Sequence, residues 1–199
     1  MHNCIFTAHC TENMCDNSCP MLVETSYLLE RNNISMKSRV FHALNNKNYT
    51  ETAIKILEDL NDQLGVVIST DTVMCAEMLT YCAICLNWPG SRLHCNVYNL
   101  KYSAYLEELK HSWTAKVEPE SLEYMKIWSS SAKILIISNI DYVNFGDFES
   151  QTLLNLLQAR ENTGQTTIIV SPEINSLVGK STSAFFLRLK DKLSKAVIK

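Results

Sequence analysis

The sequence predicts a layered α/β fold built on a parallel sheet. Three observations lead there. Short apolar runs at Val66–Ile68, Cys95–Leu100, Ile134–Ile137 and Thr166–Val170 are continuous rather than alternating, as in strands covered on both faces. Segments with apolar residues at helical spacing separate those runs. Gly65, Pro89-Gly90, Gly164 and Pro172 punctuate the junctions.

Each element has a local reason. Leu22 to Arg31 reads as a helix with Tyr27, Leu28 and Leu29 on its apolar side, and Asn32-Asn33 stops it. Ser35 can cap a short helix through Val40 and Leu44. Thr50 is expected to cap a helix from Glu51 to Asp62, where Ala53, Ile54, Leu57 and Leu60 recur at helical spacing. Asp71 is placed to cap a helix over Thr72–Leu86. Ser103 to His111 follows as a helix, and Pro119 opens another that runs to about Trp128. Phe148 to Glu161 is an amphipathic helix with Gly164 just past its end, and Ser183 to Lys195 is the last helix. Right-handed crossovers join the parallel strands.

Composition narrows the function classes. The chain has 199 residues, 46% hydrophobic and 20% charged, which suits one medium domain and a small appendage. A formal net charge of -3 gives no general pull toward polyanions. From Ser176 onward, however, six Lys or Arg face one acid, a local +5 that leaves -8 on the rest. Lys180, Arg188, Lys190, Lys192 and Lys195 are thus candidate nucleic-acid contacts, with a solvated helix face as the blander reading. No signal peptide and no apolar run of spanning length is present, so a cytoplasmic location without a membrane partner is expected.

Cysteine usage divides the chain into a Cys-rich module over residues 1–40 and an α/β domain over 41–199. Cys4, Cys10, Cys15 and Cys19 crowd the first twenty residues, with His2 and His9 nearby. Four such ligands can close a tetrahedral structural zinc site, His9 being an alternative ligand, and metal binding could supply the folding free energy of so short a segment. Free thiols or disulfides are the alternatives, since the spacing is not a paired C-x-x-C. Cys75, Cys82, Cys85 and Cys95 lie in apolar segments and read as small core fillers.

Ligands of such sheets bind beyond the carboxyl ends of the strands. A loop that cradles phosphate there needs glycines, a lysine and a Ser/Thr hydroxyl. Ile68-Ser69-Thr70-Asp71-Thr72-Val73 has neither glycine nor lysine, and Asp71 repels phosphate. A hydrolytic site also needs carboxylates at the end of a later strand. After Ile134–Ile137 come the neutral Ser138 and Asn139, with Asp141 two residues further on.

The stretch Ile134-Leu135-Ile136-Ile137-Ser138-Asn139-Ile140-Asp141-Tyr142, the helix Leu153-Leu154-Asn155-Leu156-Leu157-Gln158-Ala159-Arg160 and the strand Thr166-Thr167-Ile168-Ile169-Val170-Ser171-Pro172 resemble AAA+ helicase loaders of the DnaC/DnaI type, including IstB-like proteins. The resemblance implies a P-loop, AAA+-like core. Ser138 and Asn139 stand where the family carries its Walker B acidic pair, Ser171 matches the polar end of its sensor strand, and Arg160 matches an arginine on the intervening helix. Arg188 lies where a trans-acting arginine finger is often placed, and loaders of the DnaI kind also carry an N-terminal zinc module.

The implied function is that of a non-hydrolysing, helicase-loader-like assembly factor in the replication of a phage, plasmid or mobile element. Its partner would be a replicative helicase or another AAA+ subunit. The alternatives are a loader mimic that inhibits a host replication or defence complex, and a residual ATPase with a displaced site using Asp141.

Overall fold

In the computed structural model, residues 27–32, 34, 47–86, 96–115, 117–173 and 184–199 are described. The apolar runs form strands β1 (Leu64–Ile68), β2 (Val97–Lys101), β3 (Ile134–Ser138) and β4 (Thr166–Ser171), and a fifth, β5 (Val197–Ile198), follows the last helix. They make one sheet in the order β2-β3-β4-β1-β5, with every pair parallel. The register matches Val66 with Ile169 and Ile136 with Ile168. Among the described residues no helix is long and apolar enough to cross a membrane.

Helices α1 (Lys47–Asp59), α2 (Thr72–Leu86), α3 (Tyr102–Ser112), α4 (Glu120–Ser131), α5 (Asp147–Asn162) and α6 (Ala184–Ser194) cover both faces. Strand periodicity of two sends alternate residues to opposite sides. Val67, Val97, Ile136, Ile168 and Val170 pack under α1 and α2. Val66, Leu100, Leu135, Ile137 and Ile169 pack under α3 to α6. Each fully buried Ile or Leu contributes about 1.5–3 kcal/mol, so the continuous apolar runs are the main drive to this layering. Helix α2 is apolar nearly all round because it lies between α1 and the strands.

Several boundaries differ from the sequence expectation. Helix α1 starts at Lys47 and ends at Asp59, so Thr50 sits inside it rather than capping it. The helix stops short of Asp62 because Asp62 takes a left-handed conformation (φ 58°), fixed by its amide donating to Thr166 Oγ1 at 2.8 Å. Gly65 is required just beyond: a Cβ there would lie 2.4 Å from Leu60 Cδ1. Gly164, at φ 63°, ends α5 as expected. Strand β5 was not anticipated, since two residues carry no periodicity; it exists because Lys199 N donates to Val66 O and Ile68 N to Lys199 O, both at 3.0 Å. Leu29 and Ile34, from the segment assigned by sequence to the N-terminal module, are buried in the same apolar cluster as α1 and α2.

Candidate functional site

The connections leaving β1 and β4 run to opposite sides of the sheet, because β2 lies beyond β3 and β5 beyond β1. Their helices, α2 and α6, occupy opposite faces. The carboxyl ends of β1 and β4 are therefore the topological switch point, where a crevice for a ligand opens in such folds.

Ser69 to Asp71 alone join β1 to α2, a three-residue loop. Ser69 N donates to Ser171 O at 3.0 Å and so zips the ends of β1 and β4 together. Ser69 Oγ donates to Asp71 O at 3.1 Å. Asp71 Oδ1 accepts from Met74 N at 2.9 Å, and Asp71 O from Cys75 N at 3.0 Å, which makes Asp71 the N-cap expected from sequence. Its carboxylate occupies the amide end of α2, the place where a helix would otherwise hold a phosphate.

Strand β3 ends in Ser138, which is 2% exposed and donates Oγ to Asn99 Oδ1 at 2.9 Å. Asn139 follows in a left-handed conformation (φ 57°, ψ 29°), which asparagine tolerates better than most residues, and the chain then enters the single turn Ile140–Tyr142. Asp141 in that turn is exposed. Ser171, fully buried at the end of β4, donates Oγ to Glu173 O at 2.9 Å. Ser138, Asn139 and Ser171 thus do gather at the carboxyl edge.

Arg160, the sensor-like arginine of the resemblance, does not. It is 1% exposed and lies at the amino ends of β3 and β4, across the sheet from the switch point. Its Nη2 donates to Thr166 O (2.6 Å), Nη1 to Ala132 O (2.8 Å) and Ser129 O (2.9 Å), and Nε to Thr167 Oγ1 (2.7 Å). Burial pulls its pKa down to about 10, so the guanidinium stays charged at neutral pH. The residue bolts the ends of α4 and α5 to the start of β4. The sequence offered Arg160 a role only through the family resemblance; its partners come from the packing.

Arg188 is exposed on α6 and lines a groove of about 780 Å³ between α5, α6 and the amino ends of β1 and β5, shared with Asp62, Glu161 and Asp191. Of the basic stretch, Lys192 pairs with Glu161, and Lys195 with Asp191 at 2.7 Å. Arg188 and Lys190 make no ion pair with another described residue, while Lys180 lies outside the described residues. Cys4, Cys10, Cys15, Cys19 and His9 also lie outside them, and among the described residues no group of three His, Cys, Asp or Glu could hold a metal. Burial pushes the thiol of Cys75 up to about 11 and that of Cys82 up to about 12, in keeping with core packing.

Asn99 and Asn32 are buried polar residues, the first unremarked in the sequence and the second read there only as a helix stop. One signal was available: Asn99 interrupts the apolar run Val97-Tyr98-Asn99-Leu100, and a polar residue there must find partners.

No family model matches the chain, and no curated protein sequence does. Among solved structures, it is similar to a replication initiator DnaA bound to AMPPCP and single-stranded DNA, with a TM-score of 0.54 and 11% identity over 87% of this chain. It is also similar to a DNA replication initiation factor, with a TM-score of 0.53 and 10% identity over 75% of this chain. It spans 49% and 43% of those two chains. The chain therefore has a five-stranded parallel α/β fold similar to that of these two replication proteins.

Proposed function

We propose that this chain is a non-hydrolysing, helicase-loader-like assembly factor of DNA replication. One observation carries the reading: Asp71 caps α2 within a three-residue loop, so a carboxylate stands at the helix end that would have to receive a triphosphate. The neutral Ser138 and Asn139 at the end of β3 agree with it, because magnesium and an attacking water both call for carboxylates there. The AAA+-like body would pack against a replicative helicase or another AAA+ subunit, and Arg188, exposed on α6, is offered to a neighbour's nucleotide. The cysteine-rich segment, with zinc on Cys4, Cys10, Cys15 and Cys19, would engage a second partner.

The decisive experiment is radiometric ATP hydrolysis by the purified protein, alone and with a candidate helicase, alongside titration of ATP by calorimetry. The reading expects no turnover by the protein alone. Robust turnover would reject it. Turnover abolished by Asp141→Asn would instead establish the displaced-site ATPase. In a helicase-loading assay a helper raises helicase activity, and a loss of activity would identify a mimic.

A further inference from the structure

Among the described residues, strand β2 is an edge of the sheet, with β3 on one side only. An open edge presents unpaired N–H and C=O groups that invite another strand. The pairing of β2 with β3, through Ile134 N to Asn96 O, turns Val97 O and Asn99 N outward. Both are taken by one side chain from far away in sequence. Asn32 Oδ1 accepts from Asn99 N at 2.7 Å, and Asn32 Nδ2 donates to Val97 O at 3.4 Å. The carboxamide thus does for β2 what the C=O and N–H of one residue of a neighbouring parallel strand would do.

The segment around it is anchored. Asn32 Nδ2 also donates to Leu28 O at 2.7 Å, closing the helical residues 27–31. Arg31 Nη2 donates to Val97 O at 3.0 Å and bonds Asn96 Oδ1, while its guanidinium lies 3.8 Å from the ring centroid of Trp128. Leu29 and Ile34 are buried on either side. Residues 27–32, with Ile34, are a strap laid along the open edge.

The strap does not end at the edge. Asn99, whose amide it holds, accepts through Oδ1 from Ser138 Oγ at 2.9 Å. Asn32, Asn99 and Ser138 are 1%, 4% and 2% exposed, so the chain of bonds is shielded from water throughout. Ser138 is the last residue of β3, next to the left-handed Asn139 at the carboxyl edge.

We propose that Asn32 seals the β2 edge and that the seal is coupled through Asn99 to Ser138, so that strap and carboxyl edge open and close as one unit. Anything that draws the Ser138 hydroxyl away from Asn99 loosens the strap. Conversely, a partner that lifts residues 27–32 unpairs the Asn99 amide and so loosens the residue whose side chain holds Ser138. The device links the segment that follows the N-terminal cysteines to the carboxyl edge of the sheet at the end of β3. It does not depend on whether that edge binds a nucleotide.

Amide hydrogen exchange on the full chain tests the coupling, with amides of Ile168 to Val170 as the internal reference for global opening. Loss of one buried hydrogen bond corresponds to about tenfold in a local opening equilibrium. Ser138→Ala, which touches no strap residue, should speed exchange at the Asn99 amide and over residues 27–32 by about tenfold relative to the reference. Ser138→Thr keeps the hydroxyl and should stay within about twofold of the parent. Asn32→Ala should deprotect the Asn99 amide, and adding Ser138→Ala should then have less effect than it has alone. Strap exchange unmoved by Ser138→Ala, or accelerated only in step with the reference amides, overturns the proposal. Should Ser138→Ala fail to fold, Asn32→Asp decides: its carboxylate can still accept from Asn99 N but cannot donate to Val97 O. The strap must then fray and the Asn99 amide lose protection with it, and an Asn99 amide that keeps the parent's protection while the strap frays overturns the proposal.

Discussion

Arg160→Met separates a structural arginine from a sensing one. The guanidinium is buried with no carboxylate among its partners and makes four bonds within 3 Å, to Thr166 O, Ala132 O, Ser129 O and Thr167 Oγ1. At about 1–1.5 kcal/mol for each bond, their loss amounts to about 5 kcal/mol. Removing a desolvated cation that lacks a counter-charge offsets about 2 kcal/mol of that. The expected net destabilisation is about 3 kcal/mol, or about 6–12 °C in Tm for a domain of this size. Arg160→Lys should recover only part of it, because an ammonium cannot reach the carbonyls of two elements as a planar fork does. Urea unfolding followed by circular dichroism reads the difference. A Met variant within 1 kcal/mol of the parent would refute the reasoning, and an altered nucleotide response at unchanged stability would restore the sensor role.

Asp71→Ala should cost about 1 kcal/mol through loss of the cap on Met74 N, while Asp71→Asn should cost a few tenths; a thermal melt distinguishes them, and equal losses would deny the cap. Burial tends to raise the pKa of Glu149, but the bond from Lys110 at 2.8 Å and the amides of Glu149 and Gly146 together hold it below its ordinary value. Its contribution is therefore complete above the unfolded-chain value of about 4.3 and is lost as pH falls through the lower folded value. Glu149→Gln should flatten the acid arm of a stability–pH curve, and an unchanged arm would count against this. Cys75 and Cys82, with thiols raised to about 11 and about 12, should be alkylated at pH 8 at least about 100-fold more slowly than unfolded peptide, as peptide-level mass spectrometry can show. Labelling at the unfolded rate would contradict the burial of Cys82 and the partial burial of Cys75.

The parallel layering was legible in the sequence because Ile134–Ile137 and Thr166–Val170 are apolar on both faces, and only a sheet covered twice satisfies that pattern. The Asp71 cap was legible too, since a cap depends on residues three apart along the chain. Strand β5 was not, because two residues become a strand only when Val66 offers them an edge.

Strand order, and with it the switch point, came only from the tertiary structure, as parallel neighbours are chosen by crossovers longer than any local pattern. The same limit decided the arginines. Arg160 and Arg188 look alike in sequence, both on helices with mixed neighbours, yet one is fully buried among carbonyls and the other faces solvent. What local spacing dictates is the type of each element and its caps. What burial and partners 30 to 70 residues away dictate is the role of each polar side chain: Ser138, read as a lost carboxylate, is a hydroxyl bound to Asn99, and Asn32, read as a helix stop, also closes the edge of the sheet.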